Sequence, residues 1–186
     1  MRVVAFDGSK EPRGPVGTRL TRLVEALRAD GVEAEVVRIE KVPATGCTMC
    51  GQCGQRTGQV GCSRPPEDGL RRCVRKLRAA DAVVLGTPAY GAHASPATQE
   101  LLIRLEHDRR ERGDTRLAGK LAVVVVGPPG SGTAAAAGDV RRRLEAHGMH
   151  VLEAAAPYSG SSAEEDATAV STLVDALLGA HAPGRG

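Results

Sequence analysis

A chain of 186 residues with a formal net charge of +3 and 41% apolar residues fits one domain that buries roughly 70% of its unfolded surface without a covalent staple. Its charge is small and its arginine clusters (Arg71-Arg72, Arg109-Arg110, Arg141 to Arg143) fall beside acids on helix-like segments, which speaks against a nucleic-acid partner. No apolar run is long enough to cross a bilayer or to act as a signal peptide, so a cytoplasmic protein is expected, and its five cysteines read as ligands or redox thiols rather than disulfides.

Trp is absent, and Phe6, Tyr90 and Tyr158 are the aromatic residues. Val, Leu and Ala must therefore build the core. In chain order, Arg2 to Phe6 reads as a strand, followed by a loop from Asp7 to Thr18 crowded with Gly, Pro, hydroxyls and two cations. The next helix carries Leu20, Leu23, Val24 and Leu27 on one face and stops at Asp30-Gly31. Strand, Gly-rich loop and helix together offer backbone N–H groups and a positive helix end to a phosphate. Ser9 and Thr18 add hydroxyls, Lys10 and Arg13 add charge, and Gly17 sits where the loop meets the helix.

Val32 to Ile39 alternates weakly and predicts a second, peripheral strand. Residues 45–63 then bring many glycines, four cysteines and little apolar content. Pro65-Pro66 opens a helix with Leu70, Val74 and Leu77 inward, and Cys73 beside them reads as a small buried side chain. Val83-Val84-Leu85, apolar on both faces, suits an inner strand of a parallel sheet covered on both sides, and it runs into the polar turn Thr87-Pro-Ala-Tyr-Gly91 through Ser95.

A helix from Pro96 to about Arg110 turns Leu101, Leu102 and Leu105 inward, and a charged loop follows to Arg116. Lys120 to Val126 is another strand buried on both faces, ending in Gly127-Pro-Pro-Gly-Ser-Gly-Thr133. Ala134 to His147 is a helix closed by Gly148, and Met149 to Ala154 is a fifth strand. Ser162-Ala-Glu-Glu165 is a capping box for a final helix bearing Val170, Leu173, Val174, Leu177 and Leu178. Residues 183–186 are read as a tail. Five strands, each followed by a helix, predict a doubly wound parallel sheet, with a ligand past the carboxyl ends of its strands.

Three loops stand at those ends: Asp7 to Thr18, Thr87 to Ser95 and Gly127 to Thr133. The third resembles a phosphate-binding P-loop but lacks its lysine, since Gly132 is followed directly by Thr133. ATP is therefore not expected. His93 reads as a solvated loop histidine, and no side chain is assigned a catalytic role.

The words Gly8-Ser9 and Gly17-Thr18, Ala80-Asp81, Thr87-Pro-Ala-Tyr90, Ser95 and Gly148-Met149 resemble those of the NADPH-dependent FMN reductase and iron-sulfur flavoprotein family, and the likeness spans nearly the whole chain. The resemblance implies a flavodoxin-like five-stranded parallel sheet of order 2-1-3-4-5, with a cysteine-rich loop inserted after strand 2, in one FMN-binding domain over residues 1–182. It implies FMN bound by Ser9, Lys10, Arg13, Gly17, Thr18, Thr87, Pro88, Ala89, Tyr90, Gly91, Gly127 and Gly130. NAD(P)H is then the co-substrate, a quinone, free flavin or similar small molecule the acceptor, and a homodimer or homotetramer the assembly. The family's Lys and Asp-Arg positions fall here on Gln99 and Ile103-Arg104, which departs from the pattern.

Cys47, Cys50, Cys53 and Cys62 are spaced C-x2-C-x2-C-x8-C. Three thiolates at steps of three suit the corners of a cubane cluster, with Cys62 as the fourth; zinc, which favours separated pairs, fits less well, and free or redox-active thiols are the remaining reading. The resemblance points to a [4Fe-4S] cluster at these cysteines. Two rival functions follow: electron transfer through FMN and a cluster to a ferredoxin-like partner, and a non-enzymatic binding module without flavin.

Overall fold

The computed structural model describes residues 1–43, 46–47, 68–112, 117–152 and 163–181, with the side chains of 108–112, 163 and 166 left aside. Its strands are β1 (Arg2–Asp7), β2 (Glu33–Arg38), β3 (Ala82–Tyr90), β4 (His93–Ala94), β5 (Leu121–Gly127) and β6 (His150–Val151). Its α-helices are α1 (Pro15–Ala29), α2 (Gly69–Ala79), α3 (Pro96–Arg112), α4 (Thr133–Glu145) and α5 (Ala163–His181). The order across the sheet is β2-β1-β3-β5-β6, all parallel, while β4 pairs antiparallel with the end of β3. Leaving aside that two-residue hairpin arm, this is the expected 2-1-3-4-5 order of a flavodoxin-like sheet.

The inner strands are apolar on both faces because both faces are covered. Along β1, Val3 and Ala5 face a layer made by Leu20, Leu23 and Leu27 of α1 with Leu173 and Leu177 of α5. Val4 and Phe6, one residue out of step, face Leu77 of α2, Leu101, Leu102 and Leu105 of α3 and Leu144 of α4. Each fully buried leucine contributes roughly 2 kcal/mol. That is enough, repeated along five helices, to fix the register of the inner strands.

Several boundaries differ from the sequence reading. β3 does not stop at Leu85 but continues through Tyr90, with Pro88 opposite Gly127 of β5 and Tyr90 opposite His93 of β4. α1 begins at Pro15, so Gly17 and Thr18 lie in its first turn instead of in the preceding loop. α2 begins at Gly69, where Asp68 caps it: its side chain accepts from the amides of Leu70 at 3.0 Å and Arg71 at 3.2 Å. The charged stretch expected as a loop is partly the last turn of α3, which reaches Arg112. Gly148, expected to close α4, has φ +77 and does so.

The cysteine-rich insertion, with residues 48–67, lies outside the described residues, as do the expected capping Ser162 and the end of the fifth strand at 153–154. Its flanks do not. Gly69 N donates to the Pro43 carbonyl at 2.8 Å, bringing the two ends of the insertion together. Among the described residues no helix is long and apolar enough to cross a membrane.

Candidate functional site

The carboxyl ends of β1, β3 and β5 carry segments that converge on one open cleft of about 210 Å³, lined by Ser9, Lys10, Glu11, Gly14, Pro15, Val16, Pro88, Tyr90, Gly127 and Pro128. The convergence is built from short polar links. Gly8 N donates to the Gly86 carbonyl at 2.8 Å, tying the first loop to β3. Ser95 Oγ donates to the Gly8 carbonyl at 2.6 Å and lies 3.0 Å from Thr98 Oγ1, while the Ser95 amide donates to Thr87 Oγ1 at 2.9 Å. These groups are buried, so each needs its partner and the loops have little freedom to drift.

Two glycines bring the third segment in. Gly91, at the tip of the β3–β4 hairpin, has φ +59, which a side chain would strain. Gly132, which caps α4, packs on that tip so closely that an added Cβ would meet the Gly91 carbonyl oxygen at 1.6 Å. The turn after β5 is thus pressed against the end of β3. The peptide between Gly127 and Pro128, in the cleft wall, is cis.

Of the residues expected to bind FMN, Ser9, Lys10, Pro88, Tyr90 and Gly127 line this cleft. Tyr90 stands at its rim with 55% of its surface exposed, leaving its ring free to meet a bound molecule. Arg13 is exposed on the same loop. Thr87 is fully buried and holds the scaffold instead. Gly17 is buried in the first turn of α1, and the Thr18 hydroxyl donates back to the Arg13 carbonyl at 3.2 Å. Ala89, Gly91 and Gly130 lie beside the cleft in the hairpin and the β5–α4 turn. Glu11, Gly14, Pro15, Val16 and Pro128 line it as well, and the sequence reading passed over them as loop filler. The signal for two of them was available: Gly14-Pro15 is a helix start with Pro at its first position.

The sequence profile of the NADPH-dependent FMN reductase family matches residues 1–164. The chain belongs to this family. This FMN reductase is accordingly an FMN-binding, NAD(P)H-dependent oxidoreductase that moves electrons through flavin to a small acceptor, and the reading of it as a flavin-free binding module is set aside. No curated protein matches it closely enough to count as a relative.

Solved structures share its fold at low identity. RosB, solved with bound 8-demethyl-8-formylriboflavin-5'-phosphate, is 18% identical with a TM-score of 0.74 over 97% of this chain and 78% of its own. The NAD(P)H:(acceptor) oxidoreductase FerB from Paracoccus denitrificans is 19% identical, with a TM-score of 0.68 over 96% of this chain and 95% of its own. The apo form of the NADH:FMN oxidoreductase EMOB is 15% identical, with a TM-score of 0.65 over 98% of this chain and 91% of its own.

The chemistry of the cleft's lining is compatible with FMN. The lining combines Lys10, Glu11 and the first turn of α1 with the uncharged Pro88, Tyr90, Gly127 and Pro128, a donor set that suits a flat ring with a polar tail.

The cofactor expectation needs one correction. Among the described residues no group of three or more His, Cys, Asp or Glu is arranged to hold a metal ion, so FMN stands and the [4Fe-4S] cluster does not. Of its four assigned ligands, Cys50, Cys53 and Cys62 lie outside the described residues. Cys47 is described, and its contacts are with protein: Sγ lies 3.5 Å from His107 Nδ1, and its amide donates to Glu100 Oε2 at 3.3 Å, both on α3.

The family's Asp-Arg position also resolves differently. Arg104 turns inward, and its Nη2 meets Asp68 Oδ1 at 3.7 Å with both side chains nearly inaccessible to solvent. Gln99, at the family's Lys position, accepts from Arg143 Nη1 of α4 at 2.5 Å.

Proposed function

We propose that this chain is a single-domain enzyme over residues 1–182 that draws electrons from a reduced nicotinamide through FMN held in the three-loop cleft and delivers them to a quinone or a free flavin. The observation that carries the reading is the convergence of the β1–α1 loop, the end of β3 and the β5–α4 turn on one solvent-open slot with Tyr90 at its rim. Bound there, FMN supplies the redox chemistry, and the protein's part is to position and tune it.

The residues divide the work by chemistry. Lys10, with Arg13 within reach on the same exposed loop, faces the phosphate end together with the amino terminus of α1. Pro88, Gly127 and Pro128 shape a narrow uncharged slot for the ring. Tyr90 packs against it, and its exposed face meets the nicotinamide or the acceptor. Thr87, Ala89, Gly91 and Gly130 hold the slot's edges, while Gly17 and Thr18 form the helix turn behind the phosphate end. FerB and EMOB, by their printed names, pass electrons from nicotinamides to an acceptor or to FMN, and this supports the same assignment here.

The family resemblance supports a dimer or tetramer, and the lack of a long apolar run supports a cytoplasmic protein. A ferredoxin-like partner comes second, because the relay to it was built on the cluster. The deciding experiment mixes purified protein with FMN and follows NADPH and NADH oxidation with and without a quinone or excess FMN. Acceptor-dependent oxidation in the FMN-loaded protein is the expected result; FMN binding with no oxidation of either nicotinamide would defeat the proposal.

A further inference from the structure

The lining of the cleft is poor in groups that can move a proton. Its charged side chains, Lys10 and Glu11, both stand on the β1–α1 loop, whereas β3 and the turn after β5 contribute Pro88, Tyr90, Gly127 and Pro128. Of those four only Tyr90 has a polar hydrogen on its side chain, and it stands at the solvent-open rim.

The β3–β4 hairpin brings one more such group to that rim. His93 is the direct partner of Tyr90 across the turn Gly91-Ala92. Residues paired in this way project to the same face of the ladder, with Cβ atoms roughly 5 Å apart. The burial of their neighbours agrees: Ala94, one residue on, is 3% exposed and packs into the core, while Tyr90 and His93 alternate with it and are exposed. Pro88, two residues before Tyr90 and so on the same face, also lines the cleft. The face that carries His93 is therefore the face that borders the slot.

The backbone under His93 is held on both sides. The Ser95 amide donates to Thr87 Oγ1 at 2.9 Å, and Gly132 packs against the Gly91 carbonyl at the tip. Its ring makes no hydrogen bond or ion pair among the described residues. A histidine fixed at its backbone, open to water and unengaged at its ring can hand over a proton and take one back.

We infer that His93 is a catalytic residue for the acceptor's half of the reaction, donating the proton that a quinone needs when it is reduced beside Tyr90. A quinone takes a hydride from the reduced cofactor, which is thereby oxidised, and becomes the hydroquinone anion. The protonated imidazole gives a ring N–H proton to the anionic oxygen, which leaves hydroquinone and a neutral ring, and water returns the proton to the ring. An acceptor that takes single electrons and no proton, such as ferricyanide, has no use for this histidine. The inference rests on the reading of the cleft as the flavin site and of a quinone as the acceptor.

The test compares wild type, His93→Gln and His93→Ala, all loaded with FMN and reduced anaerobically with NADPH, then mixed with benzoquinone or with ferricyanide in a stopped-flow spectrometer. Reoxidation by benzoquinone is expected to slow on the order of tenfold or more in both variants, reoxidation by ferricyanide to stay within about twofold, and added imidazole to restore much of the quinone rate in His93→Ala. A binding measurement stands beside the rates: 4-nitrophenol, whose phenolate mimics the hydroquinone anion, is titrated into the oxidised protein, and its affinity is expected to fall about fivefold or more in both variants. Quinone reoxidation within about twofold of wild type in both variants, or equal losses with the two acceptors and no rescue by imidazole, overturns the inference while leaving the flavin site standing. Wild type that reduces ferricyanide but not benzoquinone removes the quinone from the proposed function, and the inference with it.

Discussion

Replacing Gly132 with Ala would wedge apart two of the three segments that form the cleft. An added Cβ would fall 1.6 Å from the Gly91 carbonyl oxygen and 3.1 Å from the Ala92 amide, whereas ordinary contact begins at 3.4 Å. The first contact is with backbone, so no side-chain rotation relieves it, and the β5–α4 turn must withdraw from the hairpin tip by about 1.8 Å, the difference between those two distances. Gly127 and Pro128 line the cleft just before that turn, and Tyr90 lies just before the tip. Misplacement of a positioning element by about 1 Å costs up to about a hundredfold in rate. We therefore expect Gly132→Ala to weaken FMN binding by roughly 10- to 100-fold and to lower FMN-dependent NADPH oxidation correspondingly, read by flavin titration and by absorbance of the nicotinamide. Gly138→Ala is the matched control: it lies in α4 away from the cleft, and its Cβ would meet only Arg142 Nη1 at 3.5 Å. The reasoning is refuted if Gly132→Ala binds FMN within about twofold of wild type.

Two further outcomes concern the fold beneath the site. Asp68→Ala removes both the cap of α2 and the carboxylate facing the buried Arg104; a loss of roughly 3 to 5 kcal/mol is expected, a fall in melting temperature of about 6 to 20 °C at this chain length. Asp68→Asn, which keeps an acceptor for the cap, should lose visibly less, and equal melting temperatures for both variants and wild type would contradict the assignment. Burial pushes the Cys73 thiol up from its usual 9.0 to about 11. The folded state therefore keeps the thiol neutral where the unfolded chain ionises it, so stability is intact below pH 9 and falls by about 2 to 3 kcal/mol as pH rises towards 11. Urea melts of wild type and Cys73→Ala across that window should converge in slope only if this is wrong.

The layered fold was legible because its inner strands announce themselves. Val83 to Leu85 and Leu121 to Val126 are apolar on both faces, and only a strand between two helical layers requires that. The helical faces were equally plain from residues such as Leu20, Leu23 and Leu27. What the sequence hid were places where Gly and Pro sit inside regular elements. Pro88 lacks an N–H and Gly86 and Gly91 flank it, so Thr87 to Tyr90 read as a turn; β3 nonetheless runs through it, because the end of β5 and the short β4 supply partners on either side. Gly17 suggested loop, yet it lies in the first turn of α1, and glycine is needed there because a side chain would collide with the Pro12 carbonyl and Asp7. That Lys10, Pro88 and Tyr90 stand on loops that meet in one cleft could be read from the loop words. The burial of Asp7 could not, since an acid at a strand end looks the same whether it faces water or lies under a loop. Nor did the spacing of the cysteines predict that Cys47 would spend its contacts on α3.

Helix α3 connects the cleft to the insertion. Its first turn, through Ser95 and Thr98, is where the Gly8 carbonyl and the end of β3 are fastened. Its body carries Glu100 and His107, which hold Cys47 at the entry to the insertion, and Arg104, which faces Asp68 at its exit. With Gly69 bonded back to Pro43, the two ends of the insertion are fixed both to each other and to the element that positions the cleft. Loops closed at the base in this way cost little in chain entropy however long they are, since that cost grows only slowly with length. The departure from the family's Asp-Arg pattern falls on Ile103, while Arg104 keeps the arginine and turns it inward onto Asp68. That internal fastening holds the exit of a glycine-rich stretch with little apolar content to the same helix whose first turn fixes the strand ends around the cleft.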